Sequence, residues 1–265
     1  MNNFVRPKKH LGQHFLKDED IARRITESLT LHHNYKKVLE IGPGMGVLTK
    51  YLIQSYAYET FLIEVDNEAF EYIQDKFPEI KANVLHSDFL MFDMRRYFSE
   101  PFGVIGNFPY NISSQILFRV YENRDLIPEV VGMFQKEVAR RIASGPNSKE
   151  YGILSVLLQA FYDIEYLFTV DEDVFNPPPK VKSAVIRLKR NAVEKLDCDE
   201  KLFKTVVKTA FNQRRKTLRN ALSSLNIDKA LLASELFAKR AEQLTVAQFV
   251  EITNMVLLGV RGLGI

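Results

Sequence analysis

Cysteine is nearly absent from this chain: Cys198 is the only one in 265 residues. That excludes a disulfide framework and any cysteine-rich zinc site, and it fits a reducing compartment, so a cytoplasmic protein without a metal is expected. Long apolar runs are missing too. None reaches the ~18 residues that a membrane span needs, and the opening Met1-Asn2-Asn3-Phe4-Val5-Arg6-Pro7-Lys8-Lys9-His10 lacks the apolar core of a signal peptide. No internal repeat or low-complexity tract is found. With 46% hydrophobic residues, the chain can build one large domain, or a large and a small one.

Even charge is lacking as well. Residues 1–180 carry 20 Lys and Arg against 25 Asp and Glu, whereas residues 181–265 carry 16 against 8. A basic end on a near-neutral body predicts a polyanionic partner. The plain alternative is a set of solvated, lysine-rich helix faces.

What is present is a succession of strand, turn and helix. Residues 18–29 read as a helix capped by Asp18, after a stretch at 11–16 too short for a regular element. Residues 37–41 form a short strand that runs into Gly42-Pro43-Gly44-Met45-Gly46 and then a helix through Val47, Leu48, Tyr51 and Leu52. That is a nucleotide-binding arrangement, because missing Cβ atoms let the backbone turn sharply and approach a ligand. The strand at 60–66 carries Glu64, 22 residues beyond Gly42, where an acidic residue takes a ribose hydroxyl pair. A helix at 68–77 leads to a strand at 83–89, and Asp88 near its end is either an acceptor for an adenine amine or an ordinary turn aspartate. The apolar run at 102–105 begins a fourth strand, which breaks at Asn107-Phe108-Pro109-Tyr110, since Pro109 cannot continue a sheet interior. Ser113 or Ser114 then caps a helix through Ile116, Leu117 and Val120. A strand at 130–135, helices at 136–142 and 153–161, a strand at 164–170, a stiff proline loop at 175–181 and a strand at 183–188 complete the pattern. The fold class is α/β, a doubly wound sheet. The glycine turn, Glu64, Asp88 and Asn107 all fall at strand carboxyl ends, where open α/β sheets bind ligands.

The tetrapeptide has its own chemistry. The Asn107 carboxamide and the Phe108 carbonyl are two acceptors, the second made rigid by Pro109. Tyr110 offers a flat face. Together they suit a planar base with an exocyclic amine, whose nitrogen lone pair they would draw out to attack a methyl group in line. An ordinary β-turn is the bland alternative. Phe175 is either a second stacking wall opposite Tyr110 or a loop aromatic packed on the core.

Composition shifts at 190–200, and the chain beyond reads as helices at 202–210, then another after a break in the stretch 211–220, and short ones near 229–237 and 246–257, the last with a Thr245/Gln248 capping box. The expected division is therefore 1–192 and 193–265. Arg214, Arg215, Lys216 and Arg219 form a cluster suited to phosphates, and the arm at Arg6, Lys8 and Lys9 is basic as well.

Taken together, the glycine turn, Glu64, Asp88 and Asn107-Phe108-Pro109-Tyr110 resemble an S-adenosylmethionine-dependent adenine amino-methyltransferase. Gln13-His14-Phe15-Leu16, the stretch Phe175-Asn176-Pro177-Pro178-Pro179-Lys180-Val181-Lys182-Ser183-Ala184-Val185 and Phe211-Asn212-Gln213-Arg214-Arg215-Lys216 narrow the resemblance. It is to the bacterial small-subunit ribosomal RNA adenine dimethyltransferases, the kasugamycin-sensitivity methyltransferase family, and it spans nearly the whole chain. The resemblance implies a class I S-adenosylmethionine-dependent methyltransferase fold with a small helical C-terminal domain. It implies dimethylation of two adjacent adenosines in a hairpin loop near the 3′ end of that RNA, a part in ribosome biogenesis, and a monomer acting on a small-subunit assembly intermediate. Carried over by position, His14, Leu16, Gly42, Gly44, Glu64, Asp88 and Asn107 surround the methyl donor. Asn107, Phe108, Pro109, Tyr110 and Phe175 form the catalytic site, and Arg6, Lys8, Lys9, Lys180, Arg214, Arg215, Lys216 and Arg219 meet RNA. His14 stands where the family often has asparagine, and Phe108 where it commonly has leucine. The rival readings are a macrolide-resistance large-subunit RNA methyltransferase, a DNA adenine methyltransferase, and an assembly factor for which methylation is secondary.

Overall fold

The computed structural model describes residues 5–225, 227, 228 and 230–261. The start of the basic arm, residues 1–4, and Lys229, where a short helix is expected to begin, lie outside the described residues.

By compactness the chain forms two units, Met1–Ala139 with Asp163–Arg190, and Arg140–Tyr162 with Asn191–Ile265. A single cut at 192/193 thus misses one segment. Residues 140–162 read as part of the α/β pattern, but a helix within them packs on the C-terminal helices.

The first unit is built on a seven-stranded sheet. In chain order its strands are β2 (Lys37–Ile41), β3 (Glu59–Glu64), β4 (Val84–His86), β5 (Gly103–Asn107), β6 (Glu129–Gln135), β7 (Tyr162–Val170) and β9 (Ser183–Arg190). They lie in the order β4-β3-β2-β5-β6-β9-β7. Strands β2 to β6 pair in parallel, and β9 runs antiparallel to β6. Central parallel strands are covered on both faces, which is why Val38, Leu39, Val104, Ile105, Val130 and Val131 are all 0% exposed. The chain steps one way from β2 to β3 and β4, then returns to lay β5 on the other side of β2. This reversal opens a crevice at the carboxyl ends of β2 and β5, immediately beside the glycine turn and Asn107.

The helices are α1 (Glu19–Glu27), α2 (Thr49–Leu52), α3 (Asn67–Lys76), α4 (Met94–Tyr97) and α5 (Ser113–Glu122), with α6 (Lys136–Ala143) after β6. Asp18 caps α1 as expected, accepting from the Ile21 amide. Helix α5 departs from expectation. Its N-cap is Ile112, and Ser113 sits one residue inside, where its hydroxyl donates to the Tyr110 carbonyl at 3.1 Å. The Ser113 hydroxyl thereby ties the helix start to the tetrapeptide.

A two-stranded ribbon is the element least visible in the sequence. Phe15–Leu16 (β1) pairs antiparallel with Phe175–Asn176 (β8), so the stretch taken as irregular and the proline loop hold each other. Leu16 and Phe175 face one another in the ladder, and both enter a core cluster with Ala22, Ile25, Leu48 and Val170.

The second unit contains α7 (Ile153–Gln159), α8 (Glu200–Asn212), α9 (Leu218–Ala221) and α10 (Val246–Arg261). Helix α8 buries Phe203, Val206, Val207 and Ala210, one face at helical spacing. The Thr245/Gln248 capping box closes with both of its bonds. Phe211 stacks on Phe249 with ring centroids 6.0 Å apart and meets Tyr151 edge-on.

Candidate active site

The glycine turn follows β2 because only glycine takes its backbone conformation cheaply. Gly42, Gly44 and Gly46 have φ of +66°, +55° and +75°. A Cβ on Gly42 would meet nothing within 4 Å, whereas one on Gly46 would strike the Phe77 ring at 2.4 Å. Gly42 therefore presents bare backbone to open space, and Gly46 is bare so that α3 can pack against the turn.

Glu64 ends β3 and is 4% exposed. Its Oε1 accepts from the Val65 and Asp66 amides at 2.9 Å, and its Oε2 from Gly44 at 3.3 Å. Burial pushes its carboxyl pKa up, and these backbone donors oppose the shift. Asp88, after β4, is exposed and caps its own turn through the Leu90 amide.

These groups line one cavity together with Gln13, His14, Leu16, Glu40, Asn107 and Tyr110. The lining contains the carboxylates Glu64 and Asp88, the carboxyl of Glu40, which burial keeps protonated by raising its pKa to about 8, and no Lys or Arg. A dinucleotide would bring phosphates and need cations here or a free helix N-terminus. A ligand with a ribose, an adenine and positive charge, but no phosphate, fits this set. S-adenosylmethionine has that chemistry.

At the mouth of the cavity, Asn107 ends β5. Its Nδ2 donates to the His14 carbonyl at 2.9 Å. A carbonyl only accepts, so this bond fixes which way the amide faces and leaves Oδ1 as the acceptor. The Phe108 side chain is 1% exposed and lies against the sheet, edge-on to Phe134 at 5.0 Å. Phe108 therefore lines the cavity with its backbone. The ring fits only because two strand positions lack side chains. A Cβ on Gly106 or Gly132 would come within 2.7 or 2.4 Å of it. Tyr110 is half-buried, its hydroxyl lies 2.5 Å from Ser183 Oγ, and His14 stacks on it at 5.3 Å and 28°.

A strap formed by residues 8–14 closes one side of the cavity. Lys8 Nζ donates to Asp66 at 2.6 Å, and Gln13 Nε2 reaches the other oxygen of that carboxylate at 3.2 Å. Burial raises the Asp66 pKa, but Lys8 and Gln13 outweigh it and the net shift is downward. Gln13 Oε1 accepts from the Lys8 amide, and Asn111 Nδ2 donates to the His10 carbonyl. His14 Nδ1 lies 2.8 Å from the Pro177 carbonyl, which selects the tautomer protonated on that nitrogen.

Three expected roles change. Phe175, expected as a stacking wall, is 1% exposed, lies outside the cavity lining, and packs with its ladder partner Leu16 in a core cluster. Lys8 is committed to Asp66 and Glu68, so it holds the strap. Arg214 is spent inside the second unit, with its Nε 2.6 Å from Glu242 and its guanidinium on the Ser148 and Lys149 carbonyls. Arg6, Lys9, Lys180, Arg215 and Lys216 are exposed, and Arg219, also exposed, donates to the Leu232 carbonyl. Gln13 and Ser183 lie in the motifs that carry the family resemblance but had no role of their own, and Asp66, Gly106 and Gly132 had none either. Only the paired glycines left a signal, each interrupting an apolar strand.

Among the described residues, no cluster of His, Cys, Asp or Glu is arranged to hold a metal, and no helix is long and apolar enough to cross a membrane. Comparison with known proteins agrees with the geometry. The family model described as "Ribosomal RNA adenine dimethylase" matches residues 5–257. A curated "Ribosomal RNA small subunit methyltransferase A" from Cytophaga hutchinsonii is 60% identical over 251 residues, 95% of this chain and 97% of that protein. One of the same description from Flavobacterium johnsoniae is 57% identical over 253 residues, covering 95% and 96%. Among solved structures, a dimethyladenosine transferase from Plasmodium falciparum superposes with a TM-score of 0.74 at 23% identity, covering 95% of this chain and 99% of that one. The 23S rRNA methyltransferase ErmE does so with 0.68 at 24%, covering 91% and 99%. At such identities these two speak for the fold alone, and that fold is the doubly wound methyltransferase sheet expected from the sequence.

Proposed function

The chain belongs to the ribosomal RNA adenine dimethylase family, and from that premise we propose that it dimethylates the 6-amino groups of two adjacent adenosines near the 3′ end of small-subunit ribosomal RNA. The observation that carries the reading is a cavity lined by the carboxylates Glu64 and Asp88 and free of Lys and Arg, shared with Asn107, whose amide is oriented by the His14 carbonyl, and with Phe108 and Tyr110.

When bound there, S-adenosylmethionine supplies a methyl group on a cationic sulfur. Glu64 is placed to accept from its ribose hydroxyls, Asp88 to accept from its adenine amine, and bare backbone at Gly42 to let it approach closely. The target adenine leaves its stack, which costs little in a hairpin loop, and lies on Tyr110. Asn107 Oδ1 and the Phe108 carbonyl accept the two amine hydrogens and localise the lone pair on nitrogen. With the donor bound, the nitrogen held there would take the methyl group as the donor's carbon–sulfur bond breaks to a neutral thioether, and the role of Asn107 and Phe108 is to aim that nitrogen. Positive charge grows on nitrogen, so acceptors already in place stabilise the transition state more than the ground state. The methylated amine loses its proton to water. One N–H remains for the second transfer, and one acceptor suffices to hold it.

The RNA grip falls to Arg6, Lys9, Lys180, Arg215, Lys216 and Arg219. We assign the whole-particle partner as a small-subunit assembly intermediate, met by a monomer in the cytoplasm.

Labelled S-adenosylmethionine, offered in parallel with unmethylated small subunits, large subunits and naked DNA, tests this. Dimethyladenosine on small subunits alone is the expected outcome. Label on large subunits or DNA would keep the chemistry and overturn the substrate. Intact subunit binding without label would leave a binding factor on a methyltransferase scaffold.

A further inference from the structure

Stacking needs a ring but no hydroxyl, so phenylalanine would serve at position 110 as a platform. The tyrosine hydroxyl is therefore unexplained by the reaction. In the structure it meets Ser183 Oγ at 2.5 Å, and either oxygen can donate. Ser183 is 0% exposed and is the first residue of β9, held opposite Gln135 in the ladder with β6. The backbone just before it is pinned by the Lys136 amide, which donates to the Lys182 carbonyl at 2.9 Å. The hydroxyl of Ser183 is thus a fixed point of the sheet.

We propose that Ser183 is a positioning residue for the methyl acceptor, holding the Tyr110 ring at its far end so that a stacked adenine meets the two acceptors in one orientation. The reason is mechanical. A tyrosine ring swings about two side-chain bonds, and its hydroxyl lies at the end of the lever. Anchoring that end stops the swing about Cα–Cβ, and His14 stacked on the ring face resists rotation about Cβ–Cγ, on whose axis the hydroxyl lies, while Ser113 ties the Tyr110 carbonyl at the near end. Asn107 is braced in the same way by the His14 carbonyl. Acceptors and platform are then each locked by a neighbour, which a near-attack geometry requires. The motif Pro-Pro-Pro-Lys-Val-Lys-Ser thereby contributes its final serine to the acceptor site, although Phe175 at the start of the same stretch stays in the core.

This inference rests on the methyltransferase reading, so the wild-type protein assayed on unmethylated small subunits is the control. An inactive wild type would sink that reading, and an active one isolates the role of Ser183. Ser183→Ala, Tyr110→Phe and the double variant are compared at saturating donor. Each single variant is expected to lose about tenfold in kcat with the donor Kd unchanged, and the double variant to lose no more than either. Unchanged kcat in a folded Ser183→Ala variant, or additive losses in the double variant, would overturn the role. If Ser183→Ala does not fold, Tyr110→Phe alone decides, because it removes the same bond from the less buried side. An unchanged kcat there would refute the proposal.

Discussion

Replacing Asn107 by alanine removes one hydrogen-bond acceptor from the growing charge and one donor from the His14 carbonyl. The two losses differ in kind. Taking a single preorganised partner from a transition state costs ~3 kcal/mol, or roughly a hundredfold in kcat. The Phe108 carbonyl keeps its place, since it depends on Pro109 and on the buried ring, so turnover falls without vanishing. The His14 carbonyl lies at the mouth of the cavity and can be rescued by water, which limits the loss of stability to ~1 kcal/mol. Donor affinity changes far less than turnover, because Glu64, Gly42 and Asp88 remain. Single-turnover rates on unmethylated small subunits, with donor Kd from calorimetry, give both quantities. Equal losses in rate and donor affinity would refute the assignment of Asn107 to the acceptor side. Asn107→Asp sharpens the test. Its carboxyl can donate to the His14 carbonyl only when protonated, so that variant gains activity as the pH falls, relative to wild type.

Gly132→Ala would place a Cβ 2.4 Å from the Phe108 ring; it should cost ~1–3 kcal/mol in denaturant melts and lower kcat, and adding Phe108→Leu should restore part of both. Burial lifts Glu40 to about 8 from an ordinary 4.5, so the folded chain keeps a proton that the unfolded chain has released. Stability should therefore fall as pH rises from about 4.5 to about 8 and level off above, and Glu40→Gln should flatten that slope and be more stable at pH 9, by on the order of 5 kcal/mol at most. Arg214→Ala should lower the melting temperature through loss of its Glu242 and carbonyl bonds, whereas Arg215→Ala with Lys216→Ala should leave it unchanged. That pair should instead weaken subunit binding and reduce its salt slope by roughly 0.7–0.9 per charge removed.

The sheet was legible because its strands are short apolar runs ending in turn residues, and parallel packing forces that pattern. The cavity was legible for the same reason: Gly42, Glu64, Asp88 and Asn107 each sit just past such a run. What the sequence concealed lies between residues far apart in the chain. Phe15–Leu16 is too short to read as a strand, and its partner at Phe175–Asn176 is beyond any local pattern. Phe175 carries no mark that tells a core ring from a stacking wall, and only the ladder with Leu16 decides. Arg214 sits in a run of cations, and its removal from that run depends on Glu242. Segment 140–162 groups with the second unit because of how its helix packs, which periodicity does not encode.

The strap at residues 8–14 belongs to two sites at once. It walls the donor cavity, and through His14 it braces the acceptor asparagine. Thermodynamic linkage is reciprocal, so a donor that tightens the strap must also favour the RNA-competent form of Asn107, and bound RNA must favour the donor by the same factor. Two methyl groups on each of two adenosines require the spent donor to leave repeatedly. Every such exchange takes place beside the segment that also holds Asn107. A change at the Lys8 and Gln13 contacts with Asp66 would therefore be felt at the cavity wall and at the Asn107 brace together, because one short segment carries both.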